Sequence, residues 1–409
     1  MQRQATRKFY IVFLIGYLAY SAIYVARLNF SVASALFESA GTLNKAQIGM
    51  IGSIFSFTYA IFKVPNGCMG DALPPKKVVL AGLIITSISN LLVGIFPKFW
   101  SIIVLWGLNA YGQSMLWGPM LRIFSDLCSK DQLKKVGQIL VSSVAAGSVL
   151  GLLIATKCAS AFGAAACFLI PGFIVLILAL LAWRVFPAPV TDTRPSAIHV
   201  KRSLREICKE REFRQMIVPA MAHGMIKDNI NVWLALYCID TFAVDLKSVA
   251  GYIFFVPVLA LVGRLLYPLV YRFLKDDYLI SILSFAVCAA AAIPLCWSKA
   301  SVHAAMVCLG VIAAMVSMIN THMLSAFPAG FAGSGNLSFV ASVMDLLTYG
   351  GAGIGSIIFG ALIQRYGYAS MFGIWGTVSC VSVVFLWDHF RAGKSNNVSA
   401  SLEKPAVDK

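Results

Sequence analysis

Charge is what this chain has least of. Only 12% of its 409 residues are Asp, Glu, Lys or Arg, against about 25% in soluble globular domains. A chain this long and this poor in charge lacks the polar surface to face water on all sides, which excludes a soluble domain. Acidic residues are the scarcest, 17 against 33 basic ones, and the net charge is +16. That excess does not make a nucleic-acid surface, because no basic block is interleaved with aromatics. The ten cysteines are scattered through apolar runs (Cys158, Cys167, Cys288, Cys308) or at their edges (Cys68, Cys128, Cys208), with no Cys-x-x-Cys and no Cys/His cluster at metal spacing. Neither a disulfide framework, a metal nor any cofactor is expected. No run pairs a nucleophile with a base, so an enzyme is not expected either.

What the chain does have is apolar length. Hydrophobic residues make up 59% of it and the mean hydropathy is +0.81. A spanning helix needs about 20 largely apolar residues. Twelve such segments are read at 9–37, 47–69, 78–97, 99–126, 136–158, 161–186, 214–239, 248–273, 278–297, 301–327, 337–363 and 368–390. The first is far longer than the apolar core of a signal peptide and is kept as a span. The expected fold is an all-α membrane protein of twelve transmembrane helices in two halves. The six-helix halves are 1–186 and 214–390, joined by a cytosolic linker over 187–213 and followed by a tail over 391–409. The linker carries Pro187, Pro189, Pro195 and the charged run from Lys201 to Arg214.

Loop charge sets the direction, because Lys and Arg concentrate on the cytosolic side. With the N-terminus inside, cytosolic loops and linker hold nineteen Lys and Arg residues, among them Lys8, Lys76, Arg122, Lys134, Arg205 and Lys275. The outer loops hold six: Lys45, Lys98, Lys157, Lys247, Lys299 and Arg365. Both termini are therefore expected in the cytosol, with the protein in the plasma (inner) membrane and working as a monomer. A weak repeat supports two halves: Gly147 and Gly151 in the fifth span recur as Gly351 and Gly355 in the eleventh, each 204 residues on. Such pairs let helices approach closely.

An ionisable residue inside a span costs roughly 2.5–3.5 kcal/mol or more, so each is a functional candidate. In the first span Tyr17, Tyr20, Tyr24, Arg27 and Ser31 step by three and four and share one face. A polar aromatic stripe ending in Arg reads as a cavity wall, the alternative being an Arg that snorkels outward. In the seventh span His223, Lys227 and Asn231 share a face. Asp228 stands beside them, but adjacent helical residues point about 100° apart and pair poorly. In the second span Lys63 shares a stripe with Ser56, Tyr59 and Asn66. In the eleventh, Asp345 shares a face with Ser342 and Tyr349, either as a proton-coupling residue or as a partner for Arg264 in the eighth. The best-placed charges, Arg27, Lys227 and Lys63, are all cations, and such a cavity is most stable with an anion in it. Arg offers a planar fork to phosphate or carboxylate and Lys a point charge. The expected ligand is a small, multiply charged anion.

Tyr24-Val-Ala-Arg27-Leu-Asn29-Phe30 resembles the Tyr-x-x-Arg-x-Asn-Phe stretch of the organophosphate:phosphate antiporters, a branch of the major facilitator superfamily. Tyr59-Ala-Ile-Phe-Lys63, the loop Gly67-Cys-Met-Gly-Asp71-Ala-Leu-Pro-Pro75-Lys76, Trp117-Gly-Pro and the glycine-rich eleventh span are also similar. Lys227 falls where members carry Arg or Lys, with Trp233 six residues on. The resemblance implies that Arg27 and Lys227 clamp a phosphoryl group from the two halves, with Lys63 as a secondary contact. It implies exchange of an organophosphate for phosphate by alternating access about a midplane site. Three departures point away from glycerol 3-phosphate: no His between Ser143 and Gly147, Ile230 or Asn231 in place of an acid, and Ala72 for the usual Arg. The anion:cation symporter branch is the nearest rival, sharing Arg27, Asn29 and Ser31, and would move carboxylates such as hexuronates with protons. A membrane sensor of a sugar phosphate is a third reading.

Overall fold

A computed structural model describes residues 2–128, 130–187, 209–244, 246–297, 301–331 and 337–402, and those residues hold helices and no strands. The helices are α1 Gln2–Ser39, α2 Lys45–Ala72, α3 Pro75–Ile95, α4 Phe99–Ser114, α5 Trp117–Ser125, α6 Lys130–Phe162 and α7 Ala166–Val185. Then come α8 Arg211–Phe242, α9 Leu246–Leu274, α10 Asp277–Leu295, α11 Val302–Thr321, α12 Leu337–Tyr366 and α13 Tyr368–Leu402. Ten passes are long and apolar enough to cross a membrane. The other two are α4 with α5, which share one pass, and α8, whose apolar run is diluted by His223, Lys227, Asp228, Asn229 and Asn231. The chain is an integral, multi-pass membrane protein with twelve helical passes among the described residues. Large side chains left exposed, such as Trp100, Phe173, Leu265 and Val384, suit a surface that meets lipid.

Three details differ from the sequence reading. The fourth pass, read as continuous over 99–126, breaks at Met115 and Leu116. Pro119 explains it: its ring crowds the carbonyl of residue 115 and it has no N–H to donate there. The tenth pass widens at His322–Ala326 into a π turn before finishing as Phe327–Ala329. The last helix runs on to Leu402, past the point where the tail was expected. Of the expected linker, residues 188–208 lie outside the described part, and so do 403–409 of the tail.

Close helix packing rests on the glycine pairs. A Cβ at Gly147 would come 2.9 Å from Ser21 Cα, and one at Gly151 2.9 Å from Val25 Cα, both in α1. A Cβ at Gly351 would come 2.7 Å from Met221 Cα, and one at Gly355 2.6 Å from Met225 Cγ, both in α8. The two pairs thus do the same work: α6 lies backbone to backbone on α1, and α12 on α8.

Alternating passes put the start of α1 at one end of the bundle, here called proximal, and its close at the distal end. At the distal end the helices before and after residue 188 are tied together. Asn44 and Gln47 form a capping box that fixes the start of α2. Next to it, Lys45 pairs with Asp240 of α8 at 2.7 Å and with Glu38 of α1 at 3.5 Å. Tyr368 donates to Asp240 at 2.9 Å, and the Ala46 amide donates to Gln364 at 3.0 Å. Just inside, Gly49 and Gly360 bring α2 and α12 together, a Cβ on Gly49 falling 2.9 Å from Gly360 Cα.

Candidate functional site

On the proximal side of this distal seal lies a cavity of about 440 Å³. Its walls come from α1, α2, α6, α8, α9 and α12, with contributions from the fourth and tenth passes. Arg27, Lys63, Lys227, Tyr20, Tyr24 and Asn231, each expected on this wall, line it, and so does Asp345. The structure brings these side chains together from helices separated by up to three hundred residues.

Arg27 owes its position to what lies behind it. Two residues on, about 200° around the helix, Asn29 is fully buried. Its side-chain amide donates to Asn90 Oδ1 at 2.8 Å and to the Cys167 carbonyl at 2.9 Å. Asn90 and Asn109 donate to the Ala26 carbonyl at 3.2 and 3.0 Å, and Gln113 to the Ile23 carbonyl at 3.1 Å. One side of α1 is thereby fastened to α3, α4 and α7, and the opposite side is presented to the cavity. Asn29 is a fastening residue, not a ligand contact.

On the cavity side the guanidinium sits in an aromatic box, 4.6 Å from the Phe55 ring centroid, 5.5 Å from Tyr59, 5.5 Å from Tyr349 and 5.8 Å from Tyr24. Such faces stabilise a cation without consuming its N–H donors. Its one hydrogen bond among the described residues is to Tyr349 Oη at 3.4 Å, long enough to be weak. Tyr349 also faces Lys63 at 5.8 Å and Lys227 at 5.1 Å, so one ring touches all three cations. Tyr20 packs on Tyr24 and Trp117 at 6.0 and 5.2 Å, extending the aromatic wall toward the proximal end.

Two carboxylates temper the cations. Lys63 and Asp345 form a direct ion pair across α2 and α12. Asp345 does not pair with Arg264, one of the two roles its position in the sequence left open, the other being proton coupling. Helical periodicity says which residues share a face but not how two helices are registered. Asp228 Oδ1 lies 3.8 Å from Lys227 Nζ and 3.9 Å from Arg27 Nη2. Neighbours Lys227 and Asp228 were expected to pair poorly, and their contact at 3.8 Å lies within ion-pair range but not at hydrogen-bond length. Asn231 shares its amide with the Lys227 carbonyl at 3.4 Å.

His223, expected beside Lys227 on the ligand wall, is fully buried and does not line the cavity. It stands one helical turn toward the proximal end, where Gly224 brings α8 hard against Thr348 of α12. Arg264 of α9 lines the cavity and has no ion pair among the described residues. Its charge inside the eighth span was the signal for a site role. Tyr349 and Phe55 carried no such signal, since aromatic residues are common in any span.

The charged walls therefore hold four cations, Arg27, Lys63, Lys227 and Arg264, against two carboxylates, Asp228 and Asp345. Two positive charges stay uncompensated in a partly desolvated pocket. Such a site favours an anion of matching charge.

A family model described as the Major Facilitator Superfamily matches residues 9–344. The chain is 24% identical over 230 residues to the membrane sensor protein UhpC of Escherichia coli K12, covering 56% of this chain and 52% of that protein. It is 29% identical over 259 residues to a probable hexose phosphate transport protein of Chlamydia muridarum, covering 56% and 57%. The chain thus spans about half the length of these curated relatives. A solved bacterial homologue of the human lysosomal transporter Spinster superposes with a TM-score of 0.71 at 16% identity, covering 93% of this chain and 95% of that one, which shows the fold alone. With the family model covering most of its length, the chain is a member of the major facilitator superfamily resembling the organophosphate:phosphate antiporters, and is not an enzyme.

Proposed function

We propose that the protein exchanges a phosphorylated small metabolite, a sugar phosphate or similar organophosphate, for inorganic phosphate by alternating access. The observation that carries this reading is the convergence of Arg27 and Lys227 on one point from the two sides of the cavity. Both lie within 3.9 Å of the same Asp228 oxygen, so their nitrogens are at most 7.7 Å apart. One tetrahedral oxyanion bridges such a gap when each cation donates at about 2.8 Å. Relatives bear names that fit: hexose phosphate, glycerol-3-phosphate and phosphoglycerate transport proteins.

In this reading α1 to α7 and α8 to α13 are two six-pass halves that rock about the clamp. With the proximal end in the cytosol, as the loop charge expects, the Lys45–Asp240 seal closes the outer side of the cavity. An anion held by both halves draws them together. The proximal side then closes, and the distal ties must part for release outside.

A second reading, proton-coupled symport of an organic anion such as a hexuronate, draws on Asp345, a carboxylate in the cavity wall that a proton could release from Lys63. Uptake of labelled sugar phosphates, phosphoglycerate and hexuronates into cells expressing the chain separates the two. The exchange reading expects phosphorylated compounds to enter and inorganic phosphate to compete. Uptake of hexuronates alone would favour the symporter, and no uptake of either with full membrane expression would favour a sensor.

A further inference from the structure

Asp228 is oddly placed for a structural counter-ion. Among the described residues other acids meet a cation at hydrogen-bond length, Asp240 with Lys45 at 2.7 Å and Asp388 with Arg211 at 2.9 Å, the exception being Glu38, a second partner of Lys45 at 3.5 Å. Asp228 instead lies 3.8 and 3.9 Å from Lys227 and Arg27, beyond the usual 2.7–2.9 Å of a charge-assisted bond. Its other oxygen, Oδ2, is buried and has no hydrogen-bond partner among the described residues. It lines the cavity, and only 16% of its side chain is exposed. A carboxylate held this way cancels charge between the two clamp cations and leaves their donors open for a ligand. The cost of an unbonded buried oxygen persists only if something else requires the group.

The geometry points to Asp228 as an affinity-tuning residue: an internal counter-anion that weakens the clamp's hold on its ligand so that the ligand can leave. This rests on the reading of the cavity as an anion site. A carrier needs binding strong enough to load and weak enough to unload. With Lys63 already paired to Asp345, Arg27, Lys227 and Arg264 around one dianion would hold it too firmly without the opposing charge of Asp228. Empty, the clamp keeps Asp228 as a partial substitute for the ligand, which limits repulsion between Arg27 and Lys227. Loaded, Asp228 repels the ligand in proportion to the ligand's own charge.

That proportionality gives the test. Methyl phosphate and methyl sulfate have nearly the same shape, but at pH 8 the first is a dianion, its second pKa being about 6, and the second a monoanion. Calorimetric titration of both into the detergent-purified wild type, Asp228→Asn and Asp228→Ser at pH 8 and fixed ionic strength compares them. The expected result is tighter binding in both variants, by a factor for methyl sulfate that is about squared for methyl phosphate, such as tenfold against a hundredfold. In exchange assays KM and kcat should fall together, because release slows. Weaker binding in folded variants, an equal factor for the two anions, unchanged binding, or failure of both variants to fold would each overturn the role. A wild type that binds neither anion would instead overturn the anion site itself.

Discussion

The guanidinium of Arg27 and the phenol of Tyr349 stand 322 residues apart in the chain and 3.4 Å apart in space, and the same ring faces Lys63 and Lys227. One aromatic side chain on α12 thus faces three of the four cations that line the cavity. Apart from that one long bond to the hydroxyl it meets them through its face, so the other N–H donors of Arg27 stay available.

The clamp predicts unequal effects of two similar changes. Arg27→Ala and Lys227→Ala should abolish exchange while the protein elutes and melts as the wild type does. Arg27→Lys keeps the charge but loses the planar fork, and should retain less than about a tenth of the activity, in line with loss of a charge-assisted bond of roughly 1.5–3 kcal/mol. Near-wild-type exchange in any of the three would remove the clamp.

The Lys63–Asp345 pair predicts non-additivity. Breaking a buried pair by removing one partner costs about 3–5 kcal/mol, whereas removing both is often nearly neutral. Asp345→Asn or Lys63→Gln alone should lower the yield and melting temperature in detergent, and the double variant should recover most of the loss. If Asp345 also couples a proton, Asp345→Asn should flatten the pH dependence of uptake. Additive losses, with an unchanged pH profile, would show that the two side chains act independently.

The glycine pairs predict matched sensitivity in α6 and α12. Gly147→Leu and Gly351→Leu place bulk where a neighbouring backbone already lies within 2.9 Å of a Cβ, and each should prevent accumulation of folded protein. Gly373→Ala, at a position open for at least 4 Å, should be tolerated, as should Gly350→Ala. Stable Leu variants at both sites would contradict the close approach of α6 to α1 and of α12 to α8.

Much of this was legible in the sequence because a membrane forces simple rules on it. Apolar length marked the passes, and intramembrane charge marked Arg27, Lys63, Lys227 and Asp345. Periodicity put Tyr20, Tyr24 and Asn231 on the walls they occupy. What could not be read was register between helices. Nothing local to Asp345 says that Lys63 stands opposite it while Arg264 does not. His223 shares a face with Lys227 by periodicity, but one turn lower on the same helix the packed neighbours leave it fully buried. Within the motif around Arg27, the sequence alone does not divide the labour between a cavity residue and Asn29, whose partners come from three other helices. The break in the fourth pass was present in Trp117-Gly118-Pro119, but Pro is tolerated in spanning helices and a break does not follow from it.

A cationic clamp shared by two halves should close readily only around an anion. The most direct test is uptake of labelled phosphate by purified protein in liposomes, either loaded with inorganic phosphate or empty, with and without a protonophore. Rapid uptake into loaded vesicles, little into empty ones, and no effect of the protonophore are predicted. Rapid uptake into empty vesicles that collapses when the pH gradient is removed would contradict the exchange mechanism and leave the proton-coupled symporter in its place.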